Sequence, residues 1–184
     1  MLYVLEQKRK TVRDLIAMPD DGKQYELIAG QIFMVPPPST YHQDIAGFLF
    51  SKIDSIVRTK RLGKVLFAPV NVFADNENVY QPDILFVRQE NIGIIEMDGI
   101  HGAPDLVIEI LSPSNAYFDL KTKKEVYQCI GVREYWIVDP MDHSIECFAN
   151  STNGYQTFFL GKEGHATSNV LPEFLVEVPN VFAL

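Results

Sequence analysis

The most constraining stretch of the chain is Asp105-Leu106-Val107-Ile108-Glu109-Ile110-Leu111, which sets a carboxylate inside an otherwise aliphatic run. The run reads as a strand. Ser112-Pro113-Ser114-Asn115 breaks it and offers caps for a helix over about 116–130, which Gly131 ends. Glu134-Tyr135-Trp136-Ile137-Val138-Asp139-Pro140 then reads as a buried strand closed by a turn. Strand, helix and strand in that order imply a right-handed crossover and a parallel pair. A sheet must form around these two strands, and Glu109 must find a partner inside it, because an unpaired carboxylate among aliphatic side chains is costly to bury.

The remaining pattern fits around this unit. Two β-prone runs between Tyr25 and Val35 flank Ala29-Gly30, a hairpin signal, and Pro36-Pro37-Pro38 stops them. Ser39 or Thr40 can cap a helix over about 41–60, where Ile45, Leu49, Ile53 and Ile56 recur at helical spacing and His42 extends the same stripe. Strands are expected over 65–74 and 83–87, a β-meander over 144–149 and 155–160, and a final edge strand over 174–182. The expected fold class is a mixed α/β (α+β) domain spanning 1–184. Its core covers about 40–140, with a hairpin added at the N-terminus and strands at the C-terminus.

Charge and motif content narrow the function. Sixteen basic and twenty-four acidic residues give a net charge of −8, which argues against coating nucleic acid by bulk charge. Residues 1–92 hold eleven of each sign and 93–184 hold five basic and thirteen acidic, so a phosphate-facing surface is expected in the first half. Arg58, Lys60, Arg61 and Lys64 crowd there; they serve either as DNA contacts or as cations at the C-terminal end of a helix dipole. Cys129 and Cys147 form no C-x-x-C pair, and no nucleophile elbow, phosphate loop or zinc pair occurs. No run approaches the roughly twenty apolar residues of a membrane span. The first eight residues lack a signal-peptide core, so a cytoplasmic protein is expected.

What remains for chemistry is acid at strand ends. Asp83 follows Pro82 at the head of an apolar strand and can approach Glu109 from a neighbouring strand. Asp105 lies four residues from Glu109, roughly 13 Å along an extended chain, too far to share an ion. On a 100° wheel anchored at Leu120, Lys123 and Lys124 both fall within the apolar arc of the second helix. Each either snorkels outward or is held toward a buried acid such as Glu109. Two carboxylates and a main-chain carbonyl suit Mg²⁺ or Mn²⁺, which polarises a phosphate and lowers the pKa of a bound water. A neighbouring lysine orients that water or stabilises the developing charge. The chemistry of such a set is phosphodiester hydrolysis.

The combination of Pro82-Asp83, Glu109-Ile110-Leu111-Ser112-Pro113-Ser114, Asp119…Lys123…Tyr127 and Gly131-Val132-Arg133-Glu134-Tyr135-Trp136-Ile137-Val138-Asp139-Pro140 resembles the bacterial Uma-type family of restriction endonuclease-like proteins, within the PD-(D/E)XK nuclease superfamily. The resemblance runs from about Tyr25 to Phe182. It implies a restriction endonuclease-like core and a Mg²⁺-dependent endonuclease acting on DNA, as a homodimer. Asp83, Glu109 and the carbonyl of Ile110 would hold the metal. Leu111 stands where the superfamily usually has its lysine; the family's lysine, four residues before a tyrosine, selects Lys123 over Lys124. His42 resembles a family histidine near the cleft, as ligand, base, cap or core residue, and Glu26 resembles a recurrent position that could instead only pair with a cation. The alternative is a nucleic-acid- or protein-binding module that keeps the fold without turnover.

Overall fold

The aliphatic run around Glu109 forms one of the two middle strands of a six-stranded sheet. In chain order the elements are α1 (Val12–Ile16), β1 (Gln24–Ile28), β2 (Gln31–Val35), α2 (Thr40–Lys60), β3 (Gly63–Phe67), β4 (Val72–Asp75), β5 (Asn78–Tyr80), β6 (Ile84–Arg88) and β7 (Leu106–Ile110). A π-helical turn, Phe118–Lys123, leads into α3 (Lys124–Ile130). Then come β8 (Glu134–Asp139), β9 (Ser144–Ser151), β10 (Gly154–Gly161), β11 (His165–Thr167), β12 (Leu175–Glu177) and α4 (Val178–Phe182). The computed structural model describes residues 9–112 and 118–183, with the main chain alone at 118–120. The caps expected at 113–115, the start of the second helix and the side chains of Asp119 and Leu120 lie outside the described residues.

The large sheet has the order β10-β9-β8-β7-β6-β3. Its β7–β8 pair is parallel, with Glu109 opposite Ile137, as the crossover requires. The neighbouring β6–β7 pair is antiparallel and sets Ile84 opposite Ile108. A smaller sheet, β2-β1-β5-β4, and a two-stranded ribbon of β11 and β12 complete the strands. The fold class is thus the mixed α+β architecture expected from the sequence.

Side-chain alternation along the strands splits the interior into two cores. Ile84, Phe86, Leu106, Ile108 and Ile110 face Ile45, Leu49, Ile53 and Val57 of α2, and Val178 and Val181 of α4 join that side. Leu85, Val87, Val107 and Leu111 face Tyr127 of α3 and Ile28, Val72 and Tyr80 of the small sheet. Glu109 shares the alternation of Val107 and Leu111, so it points toward α3 and the small sheet.

Local sequence explains how α2 and the hairpin are set. The Ser39 hydroxyl accepts the His42 main-chain N–H at 3.1 Å, capping α2, and the helix ends at Arg61 in the left-handed region (φ 56°). The four aliphatics on its buried stripe contribute about 1.5–3 kcal/mol each. The β1–β2 hairpin turns through Ala29 (φ 49°) and Gly30 (φ 73°), two successive positive φ angles that match the primed turn of a two-residue loop.

Three expectations need correction. The strand expected over 65–74 is two strands, β3 and β4, in different sheets. Pro69, which lacks a donor, falls between them. The segment between the two expected strands, 75–82, is not free of strand: it contains β5, whose Val79 and Tyr80 are fully buried. The tail over 174–182 forms a strand for only three residues and then turns into α4. There Val178, Val181 and Phe182 are buried at helical spacing, and Pro179 sits in the first turn, where no intrahelical donor is needed.

Candidate active site

The site is built where β6 begins and β7 ends. Asp83 precedes β6, and its Oδ2 accepts the main-chain N–H of Ile110 at 2.7 Å. That bond fixes the carboxylate beside the residue that follows Glu109 on the neighbouring strand. His42, in the first turn of α2, brings Nε2 to 3.0 Å from the Ile110 carbonyl oxygen and 3.3 Å from Asp83 Oδ2. One imidazole nitrogen therefore faces both oxygens.

Glu109 is 2% exposed and Lys123 3%. Lys123 Nζ lies 3.2 Å from Glu109 Oε1 and 3.0 Å from Glu26 Oε1. The Tyr127 hydroxyl donates to Glu109 Oε1 at 3.0 Å, and the main-chain N–H of Gln81 donates to Glu26 Oε1 at 2.7 Å. Burial, with the charges of Glu109 and Glu26 beside it, pushes the Tyr127 phenol well above its ordinary pKa, so it remains a donor. Glu26 comes from β1 of the small sheet, so both sheets supply the cluster.

The two lysines that a 100° wheel leaves equivalent are separated here. Lys123 closes a π-helical turn, whose i→i+5 bonding departs from that wheel. It points inward, whereas Lys124 Nζ lies 3.5 Å from the centre of the Phe148 ring. Partial desolvation there lowers the Lys124 pKa.

Glu26, His42, Asp83, Glu109, Ile110 and Lys123 all line one cleft of about 590 Å³. Among the described residues lining the cleft, Glu26, Asp83 and Glu109 set three carboxylates against the ammonium of Lys123. Oxygen-rich, over-anionic surroundings of this kind suit a hard divalent cation. Asp83, Glu109 and the Ile110 carbonyl are the groups that could hold it.

The basic cluster lies elsewhere. Arg58 is sixteen residues beyond His42 on α2, about 24 Å along the helix axis. Its Nε pairs with Asp54 at 2.7 Å, Lys60 pairs with Glu173 at 2.9 Å, and Arg61 and Lys64 are exposed. Asp105, at the other end of β7, accepts from the Arg88 main-chain N–H at 2.8 Å and from Asn91. Among the described residues the group of three His, Cys, Asp or Glu side chains whose donor atoms lie within 4.8 Å of one another is Glu96, Asp98 and His101, not the acids of the cleft; all three are exposed and none lines the cleft.

Two buried groups escape the sequence reading. Tyr127 entered there only as the family tyrosine that marks Lys123 four residues before it, a spacing that places both on one helix face, and was given no role of its own. Glu134, 1% exposed, accepts the Trp136 indole N–H at 2.6 Å and the main-chain N–H groups of Asn169 and Val170 at 2.7 and 2.9 Å. It ties the C-terminal segment to β8, away from the cleft.

A family model, Uma2, described as "Putative restriction endonuclease", matches residues 12–178. No curated protein sequence matches the chain. Among solved structures, a "putative nuclease" from Anabaena variabilis superposes with a TM-score of 0.77 at 21% identity, covering 94% of this chain and 97% of its own. At that identity the likeness is one of fold.

Proposed function

The chain belongs to the Uma2 family of restriction endonuclease-like proteins, and from that premise we propose that it is a divalent-cation-dependent endonuclease hydrolysing phosphodiester bonds of DNA. The observation that carries the proposal is the convergence of Asp83, Glu109 and Lys123 in one cleft, with Asp83 bonded to the residue next to Glu109. In this reading Asp83, Glu109 and the carbonyl of Ile110 hold Mg²⁺ or Mn²⁺. The bound ion supplies Lewis-acid polarisation of the phosphate and acidifies a water.

The remaining work falls to the chain's own residues. Asp83 is oriented by the Ile110 N–H, so its oxygen faces the cleft without searching rotamers. Lys123, held between Glu26 and Glu109, is an ammonium positioned to orient the attacking water or to stabilise charge developing on the phosphate. Tyr127 fixes Glu109 from below. His42 holds Asp83 and the Ile110 carbonyl together. Leu111 at the superfamily's usual lysine position is compatible with this chemistry, because Lys123 reaches Glu109 from the helix instead. The reading takes the protein as a cytoplasmic homodimer; no helix among the described residues is long and apolar enough to cross a membrane.

Plasmid cleavage with Mg²⁺ or Mn²⁺ tests the proposal, run beside calorimetric titration of each metal. Wild type should cut and take up metal, and Asp83→Ala and Glu109→Ala should do neither. Equal cutting by all three proteins, or no cutting and no metal uptake by wild type, would contradict it.

A further inference from the structure

The walls of the cleft differ in character from its floor. Pro37, Tyr41, Pro69 and Met141 supply an apolar rim, with Met141 84% exposed, and Gln24 and Gln43 add amides to the same lining. The charged lining is the opposite of a phosphate-binding surface. Glu26, Asp83 and Glu109 supply carboxylates, and the basic side chains facing them among the described residues are Lys123, engaged with two of those carboxylates, and His42. Residues 113–117, which follow the cleft-lining Ser112, contain no lysine or arginine. The four clustered cations of the first half sit at the far end of α2, and two of them are paired.

A protein that grips a duplex does so by neutralising a row of phosphates, and a duplex hides the faces of its bases. Among the described residues the cleft lining offers no row of cations for the first, and it offers apolar faces and amides suited to the second. We propose that the strand bound here is unpaired DNA, held through its bases on the proline–tyrosine–methionine rim while one phosphate meets the acidic floor. The inference rests on the nuclease reading of the same site and names its substrate class. Stacking on apolar and aromatic faces is tolerant of sequence, so the grip is structure-selective rather than sequence-selective.

The test is cleavage of one labelled oligonucleotide, alone and annealed to its complement, with Mg²⁺ or Mn²⁺. The single strand should be cut about tenfold faster, the equivalent of one stacked base. Met141→Ala, on the exposed rim, should raise KM for the single strand with kcat unchanged. Equal or faster cutting of the duplex, or an unchanged KM in Met141→Ala, would overturn the inference and leave the nuclease reading intact. No cutting of either form, with no metal uptake, would remove the nuclease reading and this inference with it.

Discussion

The carboxylate of Asp83 and the main-chain N–H of Ile110 meet at 2.7 Å, bonding the acid that precedes β6 to the end of β7. One hydrogen bond thus ties the first prospective metal-binding acid to the residue that follows the second. The Ile110 carbonyl lies on that same side of the strand, where His42 Nε2 stands 3.0 Å from it and 3.3 Å from Asp83 Oδ2.

Lys123 carries the charge balance of the cluster. Lys123→Met leaves Glu26 and Glu109 facing each other in a buried setting, and removing one partner of a buried ion pair typically costs about 3–5 kcal/mol. Adding Glu26→Gln to Lys123→Met should restore part of that loss. Urea denaturation of the single and double variants measures it; an additive or larger loss in the double variant would show that the two groups are not coupled.

Tyr127→Phe keeps the ring packed against Tyr80 and Tyr135 but removes the donor to Glu109 Oε1. Leaving a buried acceptor short of a partner costs about 1–3 kcal/mol. Cleavage should fall through kcat, because Glu109 loses its fixed orientation. A variant as stable and as active as wild type would remove Tyr127 from the site.

Much of the fold was legible because its signals are local. Ala29-Gly30 announces its turn through two residues, and Gly131 ends α3 in the left-handed region at φ 96°. Glu109 announces itself by the cost of burying it. The break at Pro69 was not legible, since β-prone residues continue on both sides and only the sheet order shows that the two halves part. The pairing of Glu26 with Lys123 was also hidden: it depends on a contact between two sheets, and nothing in residues 24–28 specifies which cation arrives. The helical tail is a different case, because the spacing of Val178, Val181 and Phe182 was present in the sequence but outweighed by their β-propensity.

Glu134 gives the protein an acid-side stability slope. Burial pushes its carboxyl above the ordinary value, against the opposing pull of the Val170 N–H and the other donors around it. Between pH 4.5 and the raised value the folded chain holds a proton that the unfolded chain has lost. Stability contributed by this group is therefore present at lower pH and falls as pH rises through that window. Midpoints of denaturant unfolding across the window should show a shallower fall in Glu134→Gln; parallel profiles would contradict the assignment.

The basic cluster at the end of α2 should be dispensable for cutting. Arg58→Ala combined with Lys60→Ala removes two cations that lie about 24 Å along the helix from His42. Initial rates on single-stranded DNA should stay within about twofold of wild type, because neither position adds a phosphate contact at the cleft. A large drop that high salt reproduces in wild type would instead make this helix end a DNA contact.

The central claim is that one cation is held jointly by Asp83, Glu109 and the carbonyl of Ile110. Crystals soaked in Mn²⁺ and measured for anomalous scattering test it most directly. A peak is expected in the cleft at about 2.1 Å from an oxygen of each of these three residues, lost in Asp83→Asn. A peak only at the exposed Glu96, Asp98 and His101 group, or no peak beside Glu109, would contradict it.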